Sequence, residues 1–373
     1  MYAHLTTVHS RSDTRILLKE LRTLNAALPE KAMLIVADGQ GAADDSAGIH
    51  IHDLGAIGGR RAGRAFTGSL RALRLVRTLR PRLVHFHDPE LIPLGLVLKT
   101  LGYRVIYDAH EDLPRQILSK HWIPSWLRHA TARTMALVEW IAGRTFDGVV
   151  AATPTIAKRF PEHKRALVPN FPIGSELLRL NSTPHRNRPP WFVYVGGIAA
   201  IRGAREMVAA LEHLRDVGDV RLHLAGRFDQ PRLADSLARM PMWASSVEHH
   251  GFIDRGAVAD LLGQARAGLV ILQPLRSYMD SLPIKMFEYM SAGIPVIASD
   301  FPLWRGIIDD AACGLLVDPR APDAIADAMR WILDHPGDAE AMGRRGRMAV
   351  EQMYNWDRAS TALLDLYSHI GIG

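Results

Sequence analysis

Short runs of apolar and β-branched residues alternate along the chain with longer segments whose apolar positions recur at helical spacing. In the first half, strands are expected at Leu5–Val8, Met33–Ala37, Leu83–His87, Arg104–Asp108, Gly148–Ala152 and Ala166–Val168. Helical segments fill the gaps at Thr14–Leu28, Phe66–Leu79, Leu91–Leu101, Pro124–Arg144 and Thr155–Phe160. The pattern then restarts, with strands at Trp191–Gly196, Arg221–Ala225, Val247–His250, Gly268–Leu272, Pro295–Ala298 and Leu315–Val317, and a last helix at Trp356–Ile370. Strands that are apolar throughout belong to parallel sheets covered on both faces. The expected fold is therefore α/β, with two doubly wound domains facing across a cleft. Residues 1–170 form the first domain and 191–353 the second. The proline-rich and polar stretch 171–190 reads as a linker, and 354–373 as a helix crossing back towards the first domain.

Composition narrows the class. Of 373 residues, 48% are hydrophobic and 23% charged, which excludes wholesale disorder. The single cysteine, Cys313, forms no internal disulfide and anchors no zinc-type Cys/His spacing, as expected of a reducing, cytoplasmic compartment. Met1–Ser10 lacks the basic start and apolar run of a secretory signal. Apolar stretches such as Leu91–Leu98 fall far short of the roughly 20 residues of a bilayer span.

Charge is uneven. Residues 1–170 carry 24 basic and 15 acidic side chains, a net +9, whereas 171–373 carry 21 and 24, a net −3. The basic half is the one expected to face an anionic partner. Eight arginines fall between Arg60 and Arg82, interleaved at helical spacing with Phe66, Leu70, Leu73, Val76 and Leu79. This segment reads either as an amphipathic surface helix packed on its own domain or as an arginine face resting on anionic lipid. Nucleic acid is the poorer match, because no aromatic stacking platform accompanies the charge.

Ligands of open parallel sheets bind beyond the carboxyl ends of the strands, which directs attention to four segments. His85 to Glu90 follows the third strand and Tyr107 to Pro114 the fourth, and both are rich in histidine and carboxylate. Either alone reads equally as helix caps and solvated charges; together they favour a polar site. Gly196, Gly197, Arg202 and Gly203 form a strand-to-helix turn suited to phosphate, without the full dinucleotide fingerprint or a Walker loop. In the stretch from Asp280 to Ala298, a helix begun by Pro283 places Lys285 and Glu288 about one turn apart, with Asp280 just before it. Carboxylates there suit hydroxyl-rich ligands and Lys285 suits phosphate; a surface Lys–Glu pair with a capping Asp280 is the plainer reading.

In their order and separations, these segments, with the Gly251-Phe252-Ile253 turn and the Trp356 helix, resemble retaining glycosyltransferases of family 4, in particular bacterial members acting on cell-surface polysaccharides. The resemblance implies a GT-B fold of two Rossmann-like domains. It implies transfer of a sugar from a nucleoside-diphosphate-sugar co-substrate, with retention, to a growing capsule, exopolysaccharide or lipopolysaccharide-type glycan or its lipid-linked form. Neither a cofactor nor a metal is implied, since no Asp-x-Asp motif is present. His110, Asp280 and Glu288 take the catalytic positions. Gly196, Gly197, Arg202, Phe252, Ile253, Ser281, Leu282, Lys285 and Glu288 take donor-binding ones. Asp13, Arg15, His87 and Glu111 fall on the acceptor side. Asp280 stands where many members have Glu, Gly197 where many have Arg, and His9 to Arg15 where many have a glycine-rich loop. The implied location is the cytoplasm, at the inner face of the membrane. A nucleotide-sugar epimerase of the same fold and a non-catalytic nucleotide-sugar binder are the alternatives.

Overall fold

The computed structural model describes residues 1–57, 61–119, 123–174, 177 and 183–372. Arg60, and the side chains of residues 61–65 and 119, lie outside the described residues. Two compact units form, one of Met1–Asn170 with Trp356–Gly373, the other of Phe171–Asn355.

The first unit is built on strands β1 (Tyr2–Leu5), β2 (Ala32–Val36), β3 (Ala43–Asp44), β4 (His50–Asp53), β5 (Leu83–Phe86), β6 (Arg104–Ala109), β7 (Gly148–Ala151) and β8 (Arg165–Leu167). They lie in the order β3-β4-β2-β1-β5-β6-β7-β8, parallel except for β3. The first strand begins at Tyr2 rather than Leu5. His4 breaks the apolar run in the sequence, yet all four residues Tyr2–Leu5 are buried. Strands β3 and β4, at one end of the sheet, have no apolar run to announce them; His50-Ile51-His52-Asp53 is mostly polar. Helices Arg61–Leu79, Ile92–Thr100 and Ser125–Thr145 pack side by side on one face of the sheet, over Ala3, Leu5, Val84, Phe86, Val105 and Tyr107.

The other face is covered by residues 14–27 and the Trp356–His369 helix. Thr14–Leu21 is a π-helix, and its wide turn brings Arg15, Lys19 and Glu20 inward together. Asp13 caps it, accepting from the backbone N–H of Arg15 and Ile16. Trp356 Nε1 donates to Thr23 Oγ1 at 2.8 Å, and Tyr367 is fully buried.

The second unit holds β9 (Trp191–Val195), β10 (Arg221–Ala225), β11 (Val247–Gly251), β12 (Ala267–Val270), β13 (Val296–Ser299) and β14 (Gly314–Val317), all parallel in the order β11-β10-β9-β12-β13-β14. Residues 171–190 pack with this unit where described: Phe171 meets the rings of Phe287 and Tyr354 edge-on, and Leu177 is buried beside them. Helix Ile284–Ser291 buries Met286, Phe287, Tyr289 and Met290 against the sheet. Among the described residues, no helix is long and apolar enough to cross a membrane.

One contact sets the height of that helix. Gly268 on β12 leaves room for the Tyr289 ring, whose hydroxyl accepts the Val195 N–H at 2.9 Å where β9 ends. A Cβ on Gly268 would fall 2.1 Å from Tyr289 Cδ2. Gly268→Ala is expected to destabilise the protein by about 1–3 kcal/mol through overpacking. Tyr289→Phe, which leaves the ring in place and orphans one N–H, is expected to cost about 1–2 kcal/mol. Chemical denaturation of both variants checks the order.

Candidate functional site

In the second unit, the chain leaves β9 through Gly196, at φ +123°, and Gly197, then makes a short 3-10 turn ending at Gly203, at φ +71°. A side chain at Gly203 would collide with the Ile271 carbonyl, so only glycine fits. The turn brings two cations to the glycines. Arg202 Nη1 donates to the Gly197 carbonyl at 3.1 Å, and the Tyr194 hydroxyl donates to the same oxygen at 2.8 Å. A Cβ on Gly196 would lie 3.1 Å from Lys285 Nζ.

Lys285 is the unusual group. Its Nζ is buried, has no hydrogen-bond partner among the described residues, and sits 3.7 Å from the centre of the Tyr194 ring. Burial pushes its pKa well below the usual lysine range, the Arg202 charge pushes it further, and Glu288 only partly opposes them. An amine whose charge is disfavoured by burial and by a neighbouring guanidinium would gain from an anion, which favours the ammonium form. Glu288, one turn along the helix, is buried and ion-paired with Arg255 Nη1 at 2.6 Å.

The remaining donor-side positions are placed as follows. Asp280 ends the short helix Arg276–Met279, half-buried. The Ser281 N–H is spent on the Tyr278 carbonyl at 3.0 Å and so is not left for a phosphate, while the Ser281 carbonyl accepts Trp304 Nε1 at 2.7 Å. Leu282 and Ile253 are half-buried against the core. Phe252 is exposed, with the Arg227 guanidinium 5.4 Å from its ring centre. Arg255 and Tyr194 were not foreseen. Arg255 stands directly after the helix cap Asp254, in the same segment as Phe252, and could have been found there. Tyr194 reads only as a strand aromatic.

In the first unit the strand ends β1, β5 and β6 carry a connected polar cluster. Asp108 is its hub. Arg15 binds it through two hydrogen bonds of 2.8 Å, His87 Nδ1 lies 3.0 Å from it, and His110 Nδ1 3.5 Å. Arg15 is thus buried and committed to Asp108, with Nη1 on the Val168 carbonyl and Nε also 3.1 Å from Glu20 Oε1. His87 is also fully buried. Neither is exposed to a ligand, so the acceptor-side reading of these two gives way to a supporting one. Asp13 is likewise a helix cap, and His9 Nδ1 lies 3.1 Å from its carboxylate. Glu111 is exposed. His110 is the partly exposed member, with the His9 ring edge-on at 5.3 Å.

Comparison with known proteins places this geometry. The family model described as "Glycosyltransferase Family 4" matches residues 19–171, and the one described as "Glycosyl transferases group 1" matches 179–349. The chain is 30% identical over 183 residues to a D-inositol 3-phosphate glycosyltransferase of Xylanimonas cellulosilytica, covering 48% of this chain and 42% of that protein. It is 30% identical over 207 residues to an alpha-maltose-1-phosphate synthase of Mycobacterium tuberculosis, covering 53% and 51%. The chain spans about half the length of these curated relatives. The solved structure of WaaG, "a glycosyltransferase involved in lipopolysaccharide biosynthesis", superposes over 100% of both chains with a TM-score of 0.75 at 15% identity, so the fold is shared.

The histidines of the first unit should separate on titration. Burial opposes charge on His110, but the nearby Asp108 carboxylate outweighs it and raises the pKa above the ordinary 6.5. The hydrogen bond to Asp13 raises that of His9. Burial lowers those of His4, His85 and His87. In NMR titration of histidine-labelled protein, two of these five are expected to titrate above 6.5 and three to stay neutral there. Because the His110 pKa is raised on folding, its stabilising contribution is complete below about pH 6.5 and is lost as pH rises through the folded value. His110→Ala should therefore cost more stability at about pH 6 than at about pH 9.

Proposed function

The chain belongs to glycosyltransferase family 4 and has its GT-B fold, and from that premise we propose that it is a retaining hexosyltransferase. In this reading it moves a sugar from a nucleoside-diphosphate-sugar to a growing cell-surface glycan. The observation that carries the proposal is Lys285, a buried amine without a hydrogen-bond partner among the described residues, beside Arg202 and the Gly196-Gly197 turn.

Negative charge grows on the diphosphate as its bond to the sugar breaks, while the sugar becomes oxocarbenium-like. Arg202 and Lys285 meet that charge, so the reaction as proposed carries no metal at the diphosphate. Glu288, oriented by Arg255, accepts hydrogen bonds from donor hydroxyls, and Asp280 accepts from the sugar. Phe252 and Ile253 flank the base. His110, polarised by Asp108, stands on the acceptor side beside the reacting sugar, with Glu111 next to it. Donors in a panel of UDP-, GDP-, ADP-, dTDP- and CMP-linked compounds are expected to raise the melting temperature of the wild type. At 100 times the dissociation constant the stabilisation is about 2.7 kcal/mol. Glu288→Gln and Lys285→Met should lose it. His110→Ala should keep nucleotide binding and lose transfer by at least about 100-fold. Donor turnover without acceptor would instead indicate an epimerase, and absence of any stabilisation would count against the transferase.

The choice of a surface glycan, and of the inner membrane face in the cytoplasm as the working place, is supported by the outer surface of the first unit. On the Arg61–Leu79 helix, Phe66 and Leu70 are exposed among Arg71, Arg74 and Arg77, so the apolar stripe read from the sequence is only partly used for packing. The Ser125–Thr145 helix on the same face of the sheet exposes Trp126, Leu137, Trp140 and Ile141 beside Arg133 and Arg144. Aromatic and aliphatic groups flanked by arginine suit an anionic lipid surface. Binding to anionic vesicles is expected to fall about 10-fold or more for Arg71→Gln with Arg74→Gln and Arg77→Gln, each neutralised charge being worth about 1 kcal/mol. Unchanged sedimentation with vesicles would remove the membrane from this reading.

A further inference from the structure

The face of the first sheet under the π-helix carries histidines at register positions that bring them together. His4 on β1 pairs with His85 on β5, and His87 follows two residues on, beside Asp108. Glu20 of the π-helix descends onto them. All four of His4, Glu20, His85 and His87 are fully buried, and one donor atom of each lies within 4.8 Å of the others. His4 Nδ1 is 2.9 Å from His87 Nε2 and 3.9 Å from Glu20 Oε2, while His85 Nδ1 is 4.0 Å from the same oxygen. Ligands about 2.0–2.1 Å from a tetrahedral ion stand about 3.3 Å apart, within the range these contacts bracket.

In two of the three histidines, His4 and His87, the outer ring nitrogen is already held as metal-binding histidines require, whereas His85 Nε2 has no partner among the described residues. His87 Nδ1 lies 3.0 Å from the Asp108 carboxylate, itself gripped by Arg15, and His4 Nε2 lies 2.9 Å from the Tyr367 hydroxyl. Hydrogen bonds alone also account for part of the cluster. A chain running from His85 Nδ1–H to Tyr367, to His4, to His87 and to Asp108 is consistent in its donors and acceptors. That chain leaves Glu20 over. Neither of its buried oxygens has a hydrogen-bond partner among the described residues, and its contact is an ion pair at 3.1 Å with Arg15, already bidentate on Asp108. Arg15 thus faces two buried carboxyl groups, and a divalent cation beside Glu20 would hold it in the charged form that burial opposes.

We propose that His4, Glu20, His85 and His87 bind one zinc ion that ties β1 and β5 to the π-helix. Three imidazoles and one carboxylate are a zinc donor set. The ion is structural and buried, separate from the diphosphate-binding positions of the second unit, and the proposal does not depend on the transferase reading. A second group, His223, Glu248 and His250 on β10 and β11, is partly exposed and serves as the control.

The test uses the full chain, first stripped of metal and then titrated with Zn2+ alone against a chromophoric chelator. Expected are about one zinc per chain, a raised melting temperature, and affinity lowered at least about 10-fold in both Glu20→Gln and His85→Ala but unchanged in His250→Ala. Should either buried-site variant fold poorly, Co2+ added to the His250→Ala protein decides, because a four-coordinate site gives intense visible absorption and a hydrated ion does not. No zinc uptake by the wild type, zinc bound equally well by Glu20→Gln, or a Co2+ spectrum of the hydrated ion would overturn the proposal.

Discussion

A strand of a parallel sheet covered on both faces has no solvent to offer a polar side chain. Every polar group on such a strand must find its partner inside, and this constraint shapes both units. In the first, His4, His85, His87 and Asp108 all point to the face beneath the π-helix, where Arg15 and Tyr367 satisfy them. The opposite face of the same strands is apolar except for the Tyr107 hydroxyl, which donates to Glu139. The helix covering the polar face widens to a π-turn, and Arg15, Lys19 and Glu20 reach inward from it together.

The buried network also leaves one of its histidines partly exposed. Asp108 is saturated on its inner side by Arg15 and His87, and only His110, at the rim, faces outward from it. The Asp108 charge that Arg15 stabilises inside is thereby presented to the partly exposed His110 imidazole. Arg15 acts through Asp108 and does not itself meet a ligand.

The second unit answers the same constraint differently. Tyr194 and Tyr289 satisfy backbone groups at the end of β9, and so hold the glycine turn in place. Lys285 is the group the interior does not satisfy. Two of its neighbours within the unit are an aromatic face and a second cation, and the cost of burying its charge follows from burial and that second cation. Glu288, by contrast, is anchored by Arg255 before any ligand arrives.

The alternation of apolar runs with helical periods determined the α/β class, the two sheets and most strand positions. These follow from local burial patterns, which the chain carries in its own order of residues. The strand-end histidines and carboxylates, the glycine turn and the segment around Lys285 and Glu288 were likewise legible, because strand ends are where parallel sheets place their ligands. Partnership was not. Whether Arg15 and His87 face a ligand or Asp108, whether Ser281 has a free N–H, and that Arg255 grips Glu288 depend on contacts between residues far apart in the chain. The first strand was misplaced for the same reason: His4 reads as polar and exposed, and only Tyr367 and His87, more than 80 residues away, make its burial possible.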